Sequence, residues 1–117
     1  MLPVLSLDER YELYKETVIK CGSRILDLSD DEFKHILFEE LSIDVYSFLH
    51  GNTLNELYEE RYIDEKMLDK SSELRQMFQN EEQHLRDLMD VEKIKGYSGF
   101  NNLINLADEL INLMLIL

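Results

Sequence analysis

Cysteine is almost absent from this chain. Cys21 stands alone, so no intramolecular disulfide can form, and a reducing cytoplasm is the expected compartment. Proline occurs once, at Pro3, and glycine four times; these are too few turn formers for an all-β sandwich or a disordered Pro/Gly-rich tail. Cations are scarce as well. Twelve Lys and Arg face twenty-five Asp and Glu, a formal net charge of -13, which repels nucleic acid and anionic membranes and attracts basic partners. Direct binding to DNA or RNA is therefore not expected. The amino terminus lacks a basic region followed by an apolar run, so no signal peptide is expected. The apolar carboxy-terminal segment is interrupted by Asn102, Asn105, Asp108, Glu109 and Asn112, and no 18-residue apolar run remains to span a membrane.

Catalytic signatures are missing too. There is no Gly-rich phosphate loop, no Gly-x-Ser-x-Gly elbow and no Cys/His cluster of zinc spacing. Cys21 falls on an apolar helix face, where a thiol is a small inert hydrophobe. Neither an enzyme nor a bound cofactor is expected. With 117 residues, residues 1–117 are read as one domain, because a chain of this size supports a single core.

What is present is helical periodicity. Phe100, Leu103, Ile104, Ala107, Leu110, Ile111, Met114 and Leu117 recur at three- and four-residue steps, and Leu106, Leu113, Leu115 and Ile116 widen that face. Such a helix needs several amphipathic neighbours, so it is read as the central or closing helix of an all-α bundle of about five helices. Three capping boxes mark where the neighbours begin. Ser6-x-x-Glu9 opens a first helix with Leu7, Tyr11, Tyr14, Val18 and Cys21 inward, ended by Gly22 in the left-handed conformation. Leu2 to Leu5 is an extended lead-in, and Ile25, Leu26 and Leu28 form an apolar linker or single turn. Ser29-x-x-Glu32 opens a second helix burying Phe33, Ile36, Leu37, Leu41, Val45 and Phe48. Thr53-x-x-Glu56 opens a third, with Leu54, Leu57, Tyr58, Tyr62 and Ile63, breaking near Asp64 or running on to Asp69. A fourth starts at about Ser72, with Leu74, Met77, Phe78, Leu85, Leu88 and Met89 inward, and stops before Gly96. A tight turn, Gly96 to Gly99, leads into the last. Short loops throughout imply an up-and-down bundle.

Two Glu-x-x-His pairs, Glu32/His35 and Glu81/His84, follow the order used by di-iron carboxylate bundles, with Glu12 or Glu16 and Glu56 or Glu59 as further carboxylates. Helix geometry argues against metal. At 100° per residue, His35 lies roughly 140° from the middle of its helix's apolar face and should point to solvent. Glu81 falls near the centre of its face and needs a partner there. No metal site is expected.

The acidic surface is the remaining feature. Glu56, Glu59, Glu60, Asp64, Glu65 and Asp69 are answered only by Arg61 and Lys66, and Tyr58 and Tyr62 are set among them at helical spacing. Acid steers a cationic partner in, and a partly exposed tyrosine then supplies a rigid anchor; alternatively, both tyrosines belong to the core and the acids only confer solubility. The partner-binding residues are read as Glu56, Tyr58, Glu59, Glu60, Tyr62, Asp64 and Glu65. A second acidic run, Asp27 to Glu32 with Glu39 and Glu40, is a poorer candidate, since first-turn acids complement a helix dipole.

A small, acidic, cysteine-poor helical chain with Tyr58 and Tyr62 in such a run resembles the bacterial immunity proteins that neutralise nuclease toxins of the colicin and contact-dependent growth inhibition systems. The resemblance covers general character and not a defining motif. The adjacent Tyr-Tyr pair followed by Pro of the colicin branch is lacking, so growth-inhibition immunity proteins are the better analogy. The resemblance implies a cytoplasmic inhibitor of a basic toxin domain. The competing expectation is an acidic nucleic-acid mimic that occupies the groove of a DNA-binding protein. Exposed parts of the last helix would equally serve a homodimer.

Overall fold

The computed structural model describes residues 5–116. Leu2 to Val4 of the expected lead-in, and Leu117, lie outside them. Among the described residues there is no strand, and the all-α expectation holds. The first helix, α1 (Leu7–Cys21), begins as the capping box predicts: Glu9 N–H donates to Ser6 Oγ at 3.1 Å, and Ser6 N–H donates to the Glu9 carboxylate at 3.2 Å. Tyr14, Val18 and Cys21 are buried as expected, joined by Thr17, whose hydroxyl donates to the Leu13 carbonyl at 2.7 Å. Gly22 ends the helix, but not in the left-handed conformation, since its φ is −84°. Space is tight here: a Cβ would stand 2.7 Å from Asp108 Oδ1 and 2.8 Å from Ile111 Cδ1, so these side-chain ends would have to move. A 3-10 turn (Ser23–Asp27) follows and plugs Ile25 into the core.

The second helical run has three parts: α2 (Asp30–His35), a π turn (Ile36–Glu40) and α3 (Leu41–Phe48). Ser29 caps it by accepting from Glu32 N–H at 3.3 Å. Its buried positions are Phe33, Leu37, Leu41, Val45 and Leu49, spaced four apart. In a regular α-helix a four-residue step overshoots a full turn and the face drifts. The π turn, marked by Leu41 N–H bonding to Ile36 O, has wider i→i+5 closure and turns less per residue, which offsets that drift. This insertion corrects the expected register: Phe48 and Ile36 are only half-buried, and Leu49 takes the inner place.

Helix α4 (Gly51–Glu59) starts earlier than expected. Its cap is His50, whose Nδ1 accepts from Asn52 N–H at 3.1 Å, while the Thr53 hydroxyl donates back to Ser47 O at 3.3 Å. The helix stops at Glu59, so Tyr58 and Tyr62 do not share one helix. Two bonds close the stop. Tyr62 N–H reaches Leu57 O at 2.8 Å and Arg61 N–H reaches Tyr58 O at 3.0 Å, with Arg61 at φ 66°. This is a Schellman motif with arginine where glycine is the usual left-handed residue.

Helix α5 (Glu65–Leu88) begins seven residues before the expected Ser72, because Asp64 caps it by accepting from Met67 N–H at 2.8 Å. Leu74, Phe78 and Leu85 are buried as expected. Met89 is not: the chain leaves the helix there at φ 59°, and its side chain is 73% exposed. A short helix, α6 (Val91–Lys95), capped by Asp90, leads to α7 (Ser98–Ile116).

Helix α7 packs chiefly on α5 and α1, burying Phe100, Leu103, Ile104, Leu106, Ala107 and Leu110. Phe33 meets Phe100 edge-on at 5.6 Å between ring centres. At about 1.5 to 3 kcal/mol for each large side chain fully buried, this helix ties the bundle together. Its last turns emerge from the core. Ile111, Leu113 and Met114 are half-buried and Leu115 is 80% exposed, so the widened face does not all turn inward. Five main helical runs, α1, α2–α3, α4, α5 and α7, enclose one continuous core. No helix among the described residues is long and apolar enough to cross a membrane.

Candidate partner-binding face

The residues from Glu56 to Glu65 form the corner where α4 turns into α5. A cleft of about 560 Å³ opens there, between Tyr58 and Glu59 on one side and Asp64 and Glu65 on the other, with Tyr62 and Ile63 in its wall. The left-handed Arg61 makes the reversal sharp enough to bring these side chains together. An L-residue in that conformation costs about 1 to 2 kcal/mol relative to a right-handed one.

The seven expected residues do not have equal roles. Asp64 is committed to capping α5. Glu56 is half-exposed and ion-paired with Arg10 of α1. Tyr62 is half-buried: its hydroxyl donates to the Asp8 carboxylate, and its ring tilts against Tyr11 at 5.1 Å. That hydrogen bond to Asp8 raises the Tyr62 pKa, because it stabilises the protonated phenol. Tyr58 is half-buried, packs against the core and lines the cleft. Glu59, Glu60 and Glu65 are exposed and have no cationic partner among the described residues. The guanidinium of Arg61, also exposed, shares the turn with them.

Helix α1 extends this face in a way the local pattern did not announce. Tyr11 stacks on Tyr14 at 6.1 Å, and the Lys15 ammonium lies 4.6 Å above the Tyr11 ring. Asp8, Arg10 and Tyr11 are some fifty residues from the acidic run in sequence, and no spacing rule links them to it.

The other chemical candidates resolve differently. His35 is exposed as expected, but it contacts Glu39 and Glu40 rather than Glu32. Glu81 does find a partner: the Tyr97 hydroxyl donates to it at 2.6 Å, and this bond raises the Tyr97 pKa. The Tyr97 ring in turn lies 4.6 Å from that of His84. Among the described residues no group of three or more His, Cys, Asp and Glu is placed to hold a metal ion. Cys21 is buried, and burial pushes its thiol up to about 12, far from the thiolate that a nucleophile requires.

No family model, no curated protein and no solved structure matches this chain.

Proposed function

We propose that this protein is a cytoplasmic immunity protein, which binds and neutralises a cognate toxin, most simply a nuclease domain, through the α4–α5 corner. The observation that carries the reading is the combination at that corner of half-buried Tyr58 and Tyr62 with three exposed carboxylates, Glu59, Glu60 and Glu65, that have no cationic partner among the described residues. A nuclease domain must be basic where it holds nucleic acid. The -13 charge of this chain accelerates the encounter with such a surface, and the tyrosines then supply buried contact area at little cost in side-chain freedom. No catalytic group is required of an inhibitor of this kind.

The nucleic-acid mimic is less well supported. A mimic of duplex DNA displays its acids along an extended surface, whereas the molecule measures 40 × 36 × 23 Å and has no single long axis. Co-expression with each toxin-like open reading frame beside its own gene tests the reading. Wild-type protein should restore growth against one of them, and a triple variant, E59K/E60K/E65K, should not. Protection that survives the triple variant assigns inhibition to another surface.

A further inference from the structure

A second groove, of about 410 Å³, runs between α1 and α3. It is lined by half-buried Leu13 and Phe48, buried Thr17 and Ile43, which is 66% exposed. Isolated exposed aliphatics are ordinary, but this one shares a groove with two other large apolar side chains and a charged rim. The rim is acidic. Lys20 is held by Glu40 at 2.7 Å and Asp44 at 3.0 Å. Glu16 has no cationic partner among the described residues, and Glu39 has only His35. Four carboxylates, Glu16, Glu39, Glu40 and Asp44, thus share the Lys20 ammonium and the His35 ring. The π turn contributes to this arrangement: His35 lies against both Glu39 and Glu40 there, and Glu40 reaches across to α1. π turns of this kind are frequent at functional sites.

We propose that this groove is a docking site for a basic amphipathic helix of a protein partner. Apolar side chains of that helix cover Ile43 and enter between Leu13 and Phe48, while flanking Lys or Arg side chains pair with Glu16 and Glu39. A groove between two helices suits this mode of recognition, and the charge selects among occupants. Nucleic acid and anionic lipid are repelled. A second copy of the chain, docked face to face, would set the same carboxylates against each other. The groove is also separate from the α4–α5 corner. Around α1, the positions of Leu13, Glu16 and Lys20 lie roughly 140° from those of Asp8, Tyr11 and Lys15. Both faces can therefore be occupied at once, and this inference stands whether or not the corner binds a toxin.

The test uses the full-length, isotopically labelled protein and a synthetic acetylated, amidated helix with leucines at i, i+4 and i+7 among lysines. A nuclear magnetic resonance titration at about 0.15 M salt, where free surface charges are screened beyond roughly 8 Å, maps the contact. Shifts should centre on Leu13, Glu16, Ile43 and Phe48. Ile43→Glu should weaken the peptide at least about tenfold with an unchanged thermal melt, and E59K/E60K should leave it unaffected. Ile43→Glu adds negative charge, so binding by charge alone would tighten. A tighter or unchanged Ile43→Glu complex, or shifts that spread over every acidic face or centre on Tyr58 to Glu65, would overturn the proposal.

Discussion

The Tyr14 hydroxyl and Ser71 Oγ lie 2.6 Å apart in the core, between α1 and α5, with both residues fully buried. Each is the other's hydrogen-bond partner, and water does not reach them. Ser71→Ala should therefore cost about 1 to 3 kcal/mol, the penalty for a buried hydroxyl left unpaired, seen as a fall in melting temperature of roughly 3 to 6 °C per kcal/mol. Tyr14→Phe should cost less, because a serine hydroxyl can bond back to its own helix. The double variant should recover part of the loss, with a coupling of about 1 kcal/mol. Strictly additive losses would show that the pair does not interact.

The same tyrosine gives the protein an alkaline limit. Burial raises Tyr14 from 10.0 to about 12 and Cys21 from 9.0 to about 12. Both groups hold their protons more tightly when folded, so their contribution is complete below the unfolded pKa and is lost as pH rises toward the folded one. Stability should decline from about pH 9, with on the order of 2 to 3 kcal/mol lost from Tyr14 alone by pH 12. Chemical denaturation at several pH values checks this, and the slope above pH 10 should be shallower in Tyr14→Phe. Equal slopes would place another group in control.

Two glycines should respond oppositely to alanine. At Gly22 a Cβ would collide with Asp108 and Ile111 of α7, whereas at Gly51 nothing lies within 4 Å. Gly51→Ala should stabilise by about 0.4 to 1 kcal/mol through the unfolded chain. Gly22→Ala should destabilise by about 1 kcal/mol, because Asp108 must move off the Ser23 N–H that it accepts from at 3.0 Å. Urea denaturation of the two variants is sufficient, and effects of the same sign would contradict the packing at the end of α1.

Arg61→Gly should raise stability by about 1 kcal/mol, since glycine adopts the left-handed turn without the Cβ penalty. It also removes a cation from the turn, beside Glu59, Glu60 and Glu65, so association with a basic partner should quicken. Arg61→Ala should quicken association likewise without the gain in stability. A destabilised Arg61→Gly would mean that the arginine side chain holds the turn.

Much of this fold can be read in the sequence, and the exceptions share physical causes. Ser6 and Glu9 form their box because capping is local, and the inward faces of α1 and α7 follow from spacing alone. The start of α5 was hidden by Ser71, a polar residue at a core position that breaks the apolar pattern between Met67 and Leu74 and is explained only by its distant partner Tyr14. The π turn shifted the second helix by a residue, which a fixed 3.6 period does not foresee. Thr53 and Glu56 have the form of a capping box, yet His50 caps three residues earlier. At the candidate site the acidic run and its tyrosines were legible. The division of labour was not, because Asp64 as a cap, Glu56 with Arg10 and Tyr62 with Asp8 all depend on the packing of α1 beside the corner.

The central claim is that Glu59, Glu60 and Glu65, with Tyr58 and Tyr62, form the surface that holds a basic toxin. The most direct measurement is capture from the source lysate in low and in moderate salt, on wild-type and E59K/E60K/E65K baits of equal melting temperature, with mass spectrometry of what is retained. The account predicts one basic polypeptide that wild-type bait keeps in moderate salt and the triple variant loses. Equal retention on both baits, or a crowd of DNA-binding proteins that salt removes, would contradict it.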